Sequence, residues 1–150
     1  MISLFLTSTR VFLIVSKSLT KAYYEDVRLS SKKLAQIYGT NPRALVPMLN
    51  RLTCMGYLQS KVGGNNPGYI FARDPKEISV GEIIVALEGT LEMLGCDSIL
   101  GGEKVGCTPE NRCLFCKSVA HYTELGRQQG HAITLYQLYQ DSLCNAEEEN

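Results

Sequence analysis

The stretch Ser31-Lys-Lys-Leu-Ala-Gln-Ile-Tyr-Gly39-Thr-Asn41-Pro-Arg43-Ala-Leu-Val-Pro-Met-Leu-Asn-Arg-Leu-Thr-Cys-Met-Gly56 decides the fold. Ser30 or Ser31 can cap a first helix whose apolar residues are Leu34, Ala35 and Ile37. Gly39 stops it in the preferred C-terminal position. Asn41 is a good N-cap for a second helix, and Pro42 stands at its first position, where a missing N–H costs nothing. Leu45, Met48, Leu49, Leu52 and Met55 follow at three-and-four spacing until Gly56. A short helix, a turn containing Gly and a longer amphipathic helix form the pattern of a helix-turn-helix. Pro47 removes the bond to the Arg43 carbonyl and predicts an early kink in the second helix.

Downstream, Tyr57–Lys61 and Tyr69–Arg73 read as strands joined by the loop Gly63-Gly-Asn-Asn-Pro-Gly68. A hairpin directly after a helix-turn-helix is a wing. Asp74–Lys76 reads as a turn, and Ser79 with Glu82 three residues later forms the capping box of a helix carrying Ile83, Ile84, Ala86 and Leu87. Upstream, a helix is expected from about Ser8 to Tyr24, with Tyr24–Arg28 as a loop. Leu91–Cys116 is rich in Gly and Cys, has no sustained period and reads as a loop, and a loop of that length is usually functional. A helix from Lys117 to about Gln129, a short helix over Ala132–Gln140 and an acidic tail, Glu147–Asn150, complete the chain. The expected fold class is mainly α with a small β-hairpin wing. Its division falls at residues 1–76, a winged helix-turn-helix, and 77–150, a cysteine-rich loop with a C-terminal helix.

The 150 residues carry a net charge of zero, which hides an asymmetry. Residues 1–73 hold ten Lys/Arg against two Asp/Glu, and residues 74–150 hold five against thirteen. The first half is therefore suited to a polyanion. The N-terminal end of a recognition helix enters the major groove, while the preceding helix and the wing hold phosphates. This places Asn41, Arg43 and Arg51 toward bases and backbone, with Ser31, Lys32, Lys33, Lys61 and Arg73 flanking them. Asn41 is foremost a cap.

No run of eighteen apolar residues predicts a membrane span. The apolar start, Met1–Val15, lacks a basic leader and a small-residue cleavage site and reads as core helix, so a cytoplasmic location is expected. In a reducing compartment, six cysteines are more suited to metal or redox roles than to structural disulfides. Cys96, Cys107, Cys113 and Cys116 fall within 21 residues, and Cys113-Leu-Phe-Cys116 is a C-x-x-C pair. Metal coordination is the natural staple for such a loop, and spacing alone leaves zinc and iron–sulfur open. Cys54 reads as a small core residue, Cys144 has no assigned role, and His121 reads as an exposed helix residue or a spare ligand. The chain has no P-loop, dinucleotide glycine fingerprint, nucleophile elbow or paired carboxylates with histidine, so no enzyme is expected.

These residues resemble the IscR/NsrR-type (Rrf-two) family of winged-helix transcriptional regulators. The likeness runs through Ser31-Lys-Lys-Leu-Ala35, Leu49-Asn-Arg-Leu-Thr-Cys-Met-Gly-Tyr-Leu-Gln-Ser60, Gly68-Tyr69, Ala72-Arg73, Glu77-Ile-Ser-Val-Gly-Glu-Ile-Ile84, Ala86-Leu-Glu-Gly89 and Ile133-Thr-Leu135. It implies a homodimer with a C-terminal dimerisation helix, reading a double-stranded, palindromic DNA operator. It also implies an iron–sulfur cluster, 2Fe-2S or 4Fe-4S, held by Cys96, Cys107, Cys113 and Cys116, with iron, redox or nitric-oxide status as the signal. A cluster-free regulator with a structural zinc site or a thiol switch is the alternative. Two features depart from the family pattern. Val62-Gly63 stands where an Arg-Gly pair is usual, and ten residues rather than five separate Cys96 from Cys107.

Overall fold

The computed structural model describes residues 7–89, 107, 108 and 110–148. Helix α1 covers Thr7–Tyr24, α2 Ser31–Tyr38 and α3 Pro42–Cys54. Strands β1, Leu58–Lys61, and β2, Gly68–Phe71, follow. A 3₁₀ turn, Pro75–Glu77, leads to α4, Val80–Glu88, and then come α5, Leu114–Ala132, and α6, Leu135–Glu148.

The helix-turn-helix forms for the local reasons its sequence suggests. Ser30 is the cap of α2, its hydroxyl accepting from the Lys33 amide at 3.1 Å, so Ser31 is the first helical residue. Gly39 ends α2 at φ +63°, a left-handed conformation that glycine adopts without a Cβ clash. Asn41 caps α3, Pro42 opens it, and the helix runs on through the exposed Pro47 without ending. Leu45, Met48, Leu49 and Leu52 line its buried side. Cys54 lies two residues beyond Leu52, about 200° further round the helix. It is therefore exposed, not the core residue the sequence suggested.

Strands β1 and β2 pair antiparallel with Leu58 opposite Phe71 and Lys61 opposite Gly68, and both apolar ends are buried. The wing is fastened to the loop before α2. Leu29 and Tyr69 exchange two backbone bonds of 2.9 and 2.8 Å, and Asn66 Oδ1 accepts from the Arg28 amide at 3.0 Å. A Cβ at Gly68 would lie 2.5 Å from the Leu29 carbonyl carbon, so this crossing requires glycine.

One core joins Phe12, Val15 and Leu19 of α1 to Leu34, Leu49, Leu58 and Phe71 of the winged helix-turn-helix. Ile83 and Leu87 of α4 and Leu135 of α6 are packed into the same cluster. Burial of each such side chain stabilises the fold by roughly 1.5–3 kcal/mol. Ser79 makes the expected capping box with Glu82.

The second half departs from the sequence reading in helix extent. Residues 90–106 lie outside the described residues, and with them Cys96. The loop expected to reach Cys116 instead ends before Leu114, where α5 begins. The buried side of α5 starts with Cys116 and Val119, and a cysteine taken for a ligand gave no apolar signal for a helix start. α5 also continues past Gln129 to Ala132. α6 is longer than Ala132–Gln140 and absorbs Glu147 from the expected tail. Thr134 and Gln137 start it with reciprocal bonds, Gln137 N–H to Thr134 Oγ1 at 3.1 Å and Thr134 N–H to Gln137 Oε1 at 2.8 Å. α6 then returns along α1.

Candidate nucleic-acid face and cysteine centre

No acidic residue occurs between positions 27 and 73, the segment that holds α2, α3 and the wing. Lys32 and Lys33 are exposed on the first turn of α2, and Arg43 and Arg51 are exposed along α3. No side-chain hydrogen bond or ion pair holds these four among the described residues. Asn41 commits its Oδ1 to the Arg43 amide at 2.9 Å, leaving its NH2 as the donor for any ligand. Lys61 is exposed at the end of β1, with Nζ donating to the Asn65 carbonyl at 3.2 Å across the wing loop. Val62 beside it is 98% exposed at the wing tip.

Arg73 is exposed too, but its guanidinium already has work within the fold. It donates to Glu82 Oε1 at 3.3 Å and to the Glu77 carbonyl at 3.0 Å, and lies 5.9 Å from the Tyr57 ring centroid. Partial burial pushes the Glu82 carboxyl up. The Ser79 amide, the Arg73 guanidinium and the Ser79 hydroxyl outweigh it and hold that carboxyl below the ordinary glutamate range.

Four positioning contacts carry no motif signal. Tyr24 donates to Asp74 Oδ1 at 2.5 Å, and Lys76 stands over the Tyr24 and Tyr136 rings, joining α1, the wing exit and α6. Burial and the Asp74 carboxylate push the Tyr24 hydroxyl well above its ordinary value. His131 Nδ1 lies 3.2 Å from Ser79 Oγ, tying the end of α5 to the cap of α4. His131 stands four residues before the Leu135 that starts α6, a spacing that no sequence rule flags.

The cysteine centre is built at the start of α5. Cys113 is the N-cap of that helix, exposed and without a side-chain capping bond, and Cys116 lies in the first turn, 1% exposed. A tight turn brings Cys107 back to them. Asn111 N–H donates to the Thr108 carbonyl at 3.1 Å and to Thr108 Oγ1 at 3.2 Å. Cys107 is 3% exposed, its Sγ is 3.5 Å from Cys116 Sγ, and it accepts from the Cys113 amide at 3.5 Å. The three sulfurs lie within 4.8 Å of one another. The Cys113 amide pulls the Cys107 thiol down, but the Cys116 thiol, burial and the Cys113 side chain together push it up. His121 is exposed on α5, as expected.

The chain matches the model of Rrf2, described as an iron-dependent transcriptional regulator, over residues 7–141. It belongs to the Rrf2 family. The HTH-type transcriptional regulator NsrR of Shouchella clausii (strain KSM-K16) is 33% identical over 70 residues, and that match spans 46% of each chain. The chain thus aligns with just under half the length of that relative. Among solved structures, T. potens IscR superposes with a TM-score of 0.71 at 23% identity, covering 91% of this chain and 86% of that one. CymR (YrzC), the global cysteine regulator of B. subtilis, gives 0.74 at 20% identity, covering 93% and 98%. At these identities the two structures show a common fold. The fold is accordingly that of the Rrf2 family, with the winged helix-turn-helix that the sequence suggests. No helix among the described residues is long and apolar enough to cross a membrane.

Proposed function

We propose that this Rrf2 protein is a homodimeric DNA-binding regulator whose operator affinity is set by a cysteine-ligated iron–sulfur cluster. The observation that carries the reading is the convergence of Cys107, Cys113 and Cys116 at the start of α5. Three soft sulfur donors, two of them shielded from water, fit the ligand chemistry of iron–sulfur and zinc centres alike. When bound, the cluster supplies a redox- and ligand-sensitive group whose charge and occupancy change with iron, oxidant or nitric oxide. Cys96 is proposed as the fourth ligand. The Sγ spacing favours one specific alternative, a structural zinc site. Sulfurs 2.3 Å from a single tetrahedral ion stand roughly 3.8 Å apart, close to the packing seen here.

The protein's own residues give the centre a route to the DNA face. α5 spans ~28 Å from Cys113 to Ala132. At its far end His131 meets Ser79, Ser79 shares its capping box with Glu82, and Glu82 grips Arg73 at the exit of the wing. A rotation of α5 at the cysteine end is thereby felt at the wing root. Lys32, Lys33, Arg43, Arg51 and Lys61 are proposed to meet phosphates and bases of a palindromic operator, with Asn41 and Ser31 close by. Arg73 contacts DNA only if it gives up part of its hold on Glu82. The dimer is proposed to form on α5. Leu114 and Leu125 lie eleven residues apart on one helix face, Phe115 and Tyr122 lie beside them, and all four are exposed.

Anaerobic purification with iron and sulfide analysis tests the cluster. Iron with matching sulfide and visible absorption supports it, and one zinc per chain with no sulfide selects the alternative.

A further inference from the structure

The three thiols also have a geometry that matters in the absence of metal. Cys113 and Cys116 belong to the first turn of one helix, three residues apart, with sulfurs inside the 4.8 Å cluster. One is exposed and the other is 1% exposed. Cys107, the third thiol, is buried and held in place by the Cys113 amide and by Cys116. A soluble oxidant therefore meets Cys113 first, and a sulfur to complete the reaction already stands behind it.

We infer that, in the metal-free chain, Cys113 and Cys116 form a dithiol–disulfide couple that responds to hydroperoxides. The Cys113 sulfur attacks the outer peroxide oxygen, the O–O bond breaks, and the alcohol (water, for hydrogen peroxide) leaves with Cys113 as a sulfenic acid. The Cys116 sulfur then attacks Cys113 Sγ, an S–S bond forms, and the hydroxyl departs as water with the thiol proton. Two thiols are oxidised and one peroxide is reduced for each bond formed. The ring closes within one helical turn, so it requires side-chain rotation but no movement of the Thr108–Asn111 turn. The oxidised chain has two fewer donors and holds no metal until a dithiol reductant restores them. This rests on the three-thiol centre of the proposed function but not on iron occupying it.

The test uses the full metal-free chain and one equivalent of hydrogen peroxide. Titratable thiols of the denatured protein should fall from the six of the sequence to four. Chymotryptic cleavage after Leu114 or Phe115 should leave two peptides joined by a Cys113–Cys116 bond. Cys107→Ser should still form it, and Cys116→Ser should stop at a sulfenic acid on Cys113 that a dimedone probe traps. A bond from Cys107 to either partner overturns the inference. So does oxidation spread over Cys54 and Cys144, or an unchanged count of six. Because the mapping is done on wild-type protein, it stands even if a variant misfolds. Iron loading is assayed separately under anaerobic conditions, so a failed disulfide leaves the cluster reading standing, and failed iron loading leaves the disulfide test unaffected.

Discussion

Arg43 and Lys61 are both exposed, one at the start of α3 and one in the wing, and both are proposed to meet DNA. Arg43→Ala should weaken binding to a selected operator by about 1–3 kcal/mol if it reads a base. Lys61→Ala should weaken binding across sequences alike and lower the salt slope by about one, as for a lost phosphate contact. Electrophoretic or anisotropy titrations at several salt concentrations separate the two. If neither change weakens binding, the docking face is wrong. Gly68 is a sharper case, because a Cβ there would collide with the Leu29 backbone at a φ of +122°. Gly68→Ala should lower stability by about 1–3 kcal/mol in chemical denaturation and loosen the wing. Single residues were unevenly legible. Asn41, Gly39 and Ser79 announce their caps in the sequence because capping is a local matter. Cys54 did not show its exposure, since that depends on a rotation of about 200° past Leu52. The bond of Arg73 to Glu82 joins residues nine apart across a turn, and no period encodes it.

Among the elements, α4 and α5 hold the connection between the two ends of the molecule. Ser79→Ala removes the cap of α4 and the bond to His131 together, and should cost about 1 kcal/mol or more in thermal unfolding. Glu82 gives the element a pH signature. Its carboxyl is held below the ordinary glutamate range, so the folded state favours its ionised form. That contribution is whole above the ordinary value near 4.5 and is lost as pH falls through the lowered value. Glu82→Gln keeps a side chain able to close the capping box but not the charge. The stability gap between wild type and Glu82→Gln should therefore be constant near neutral pH and shrink in acid below about 4.5. A gap that widens in acid would contradict the assignment. The helix-turn-helix and hairpin were legible because caps, glycines and periods agree there. The start of α5 was not, because its cap is a cysteine without a capping bond and its outer residues, Leu114 and Phe115, are exposed. The start of α6 was missed although Thr134 and Gln137 have the spacing of a capping box.

For the whole molecule, the charge division and the cysteine centre are the grounds for proposing different tasks for the two halves. The apolar face of α5 is the surface on which a second copy is expected to pack. Leu114→Asp combined with Leu125→Asp should shift sedimentation from dimer to monomer and weaken operator binding, because one subunit holds only half a palindrome. The core does not follow the division at residue 76, since Leu135 and Ile83 are packed with Phe12 and Leu49. α5 itself packs on α4, and we propose that a change at its start reaches the core by that contact. The most direct test of the account is the iron and sulfide content of anaerobically purified protein, read with its visible spectrum, for wild type and for Cys107→Ser, Cys113→Ser and Cys116→Ser. The account predicts a brown wild-type protein with iron and sulfide in equal amounts, and colour lost or bleaching rapidly in each variant. A colourless, iron-free wild type after reconstitution, or colour untouched in all three variants, would contradict it.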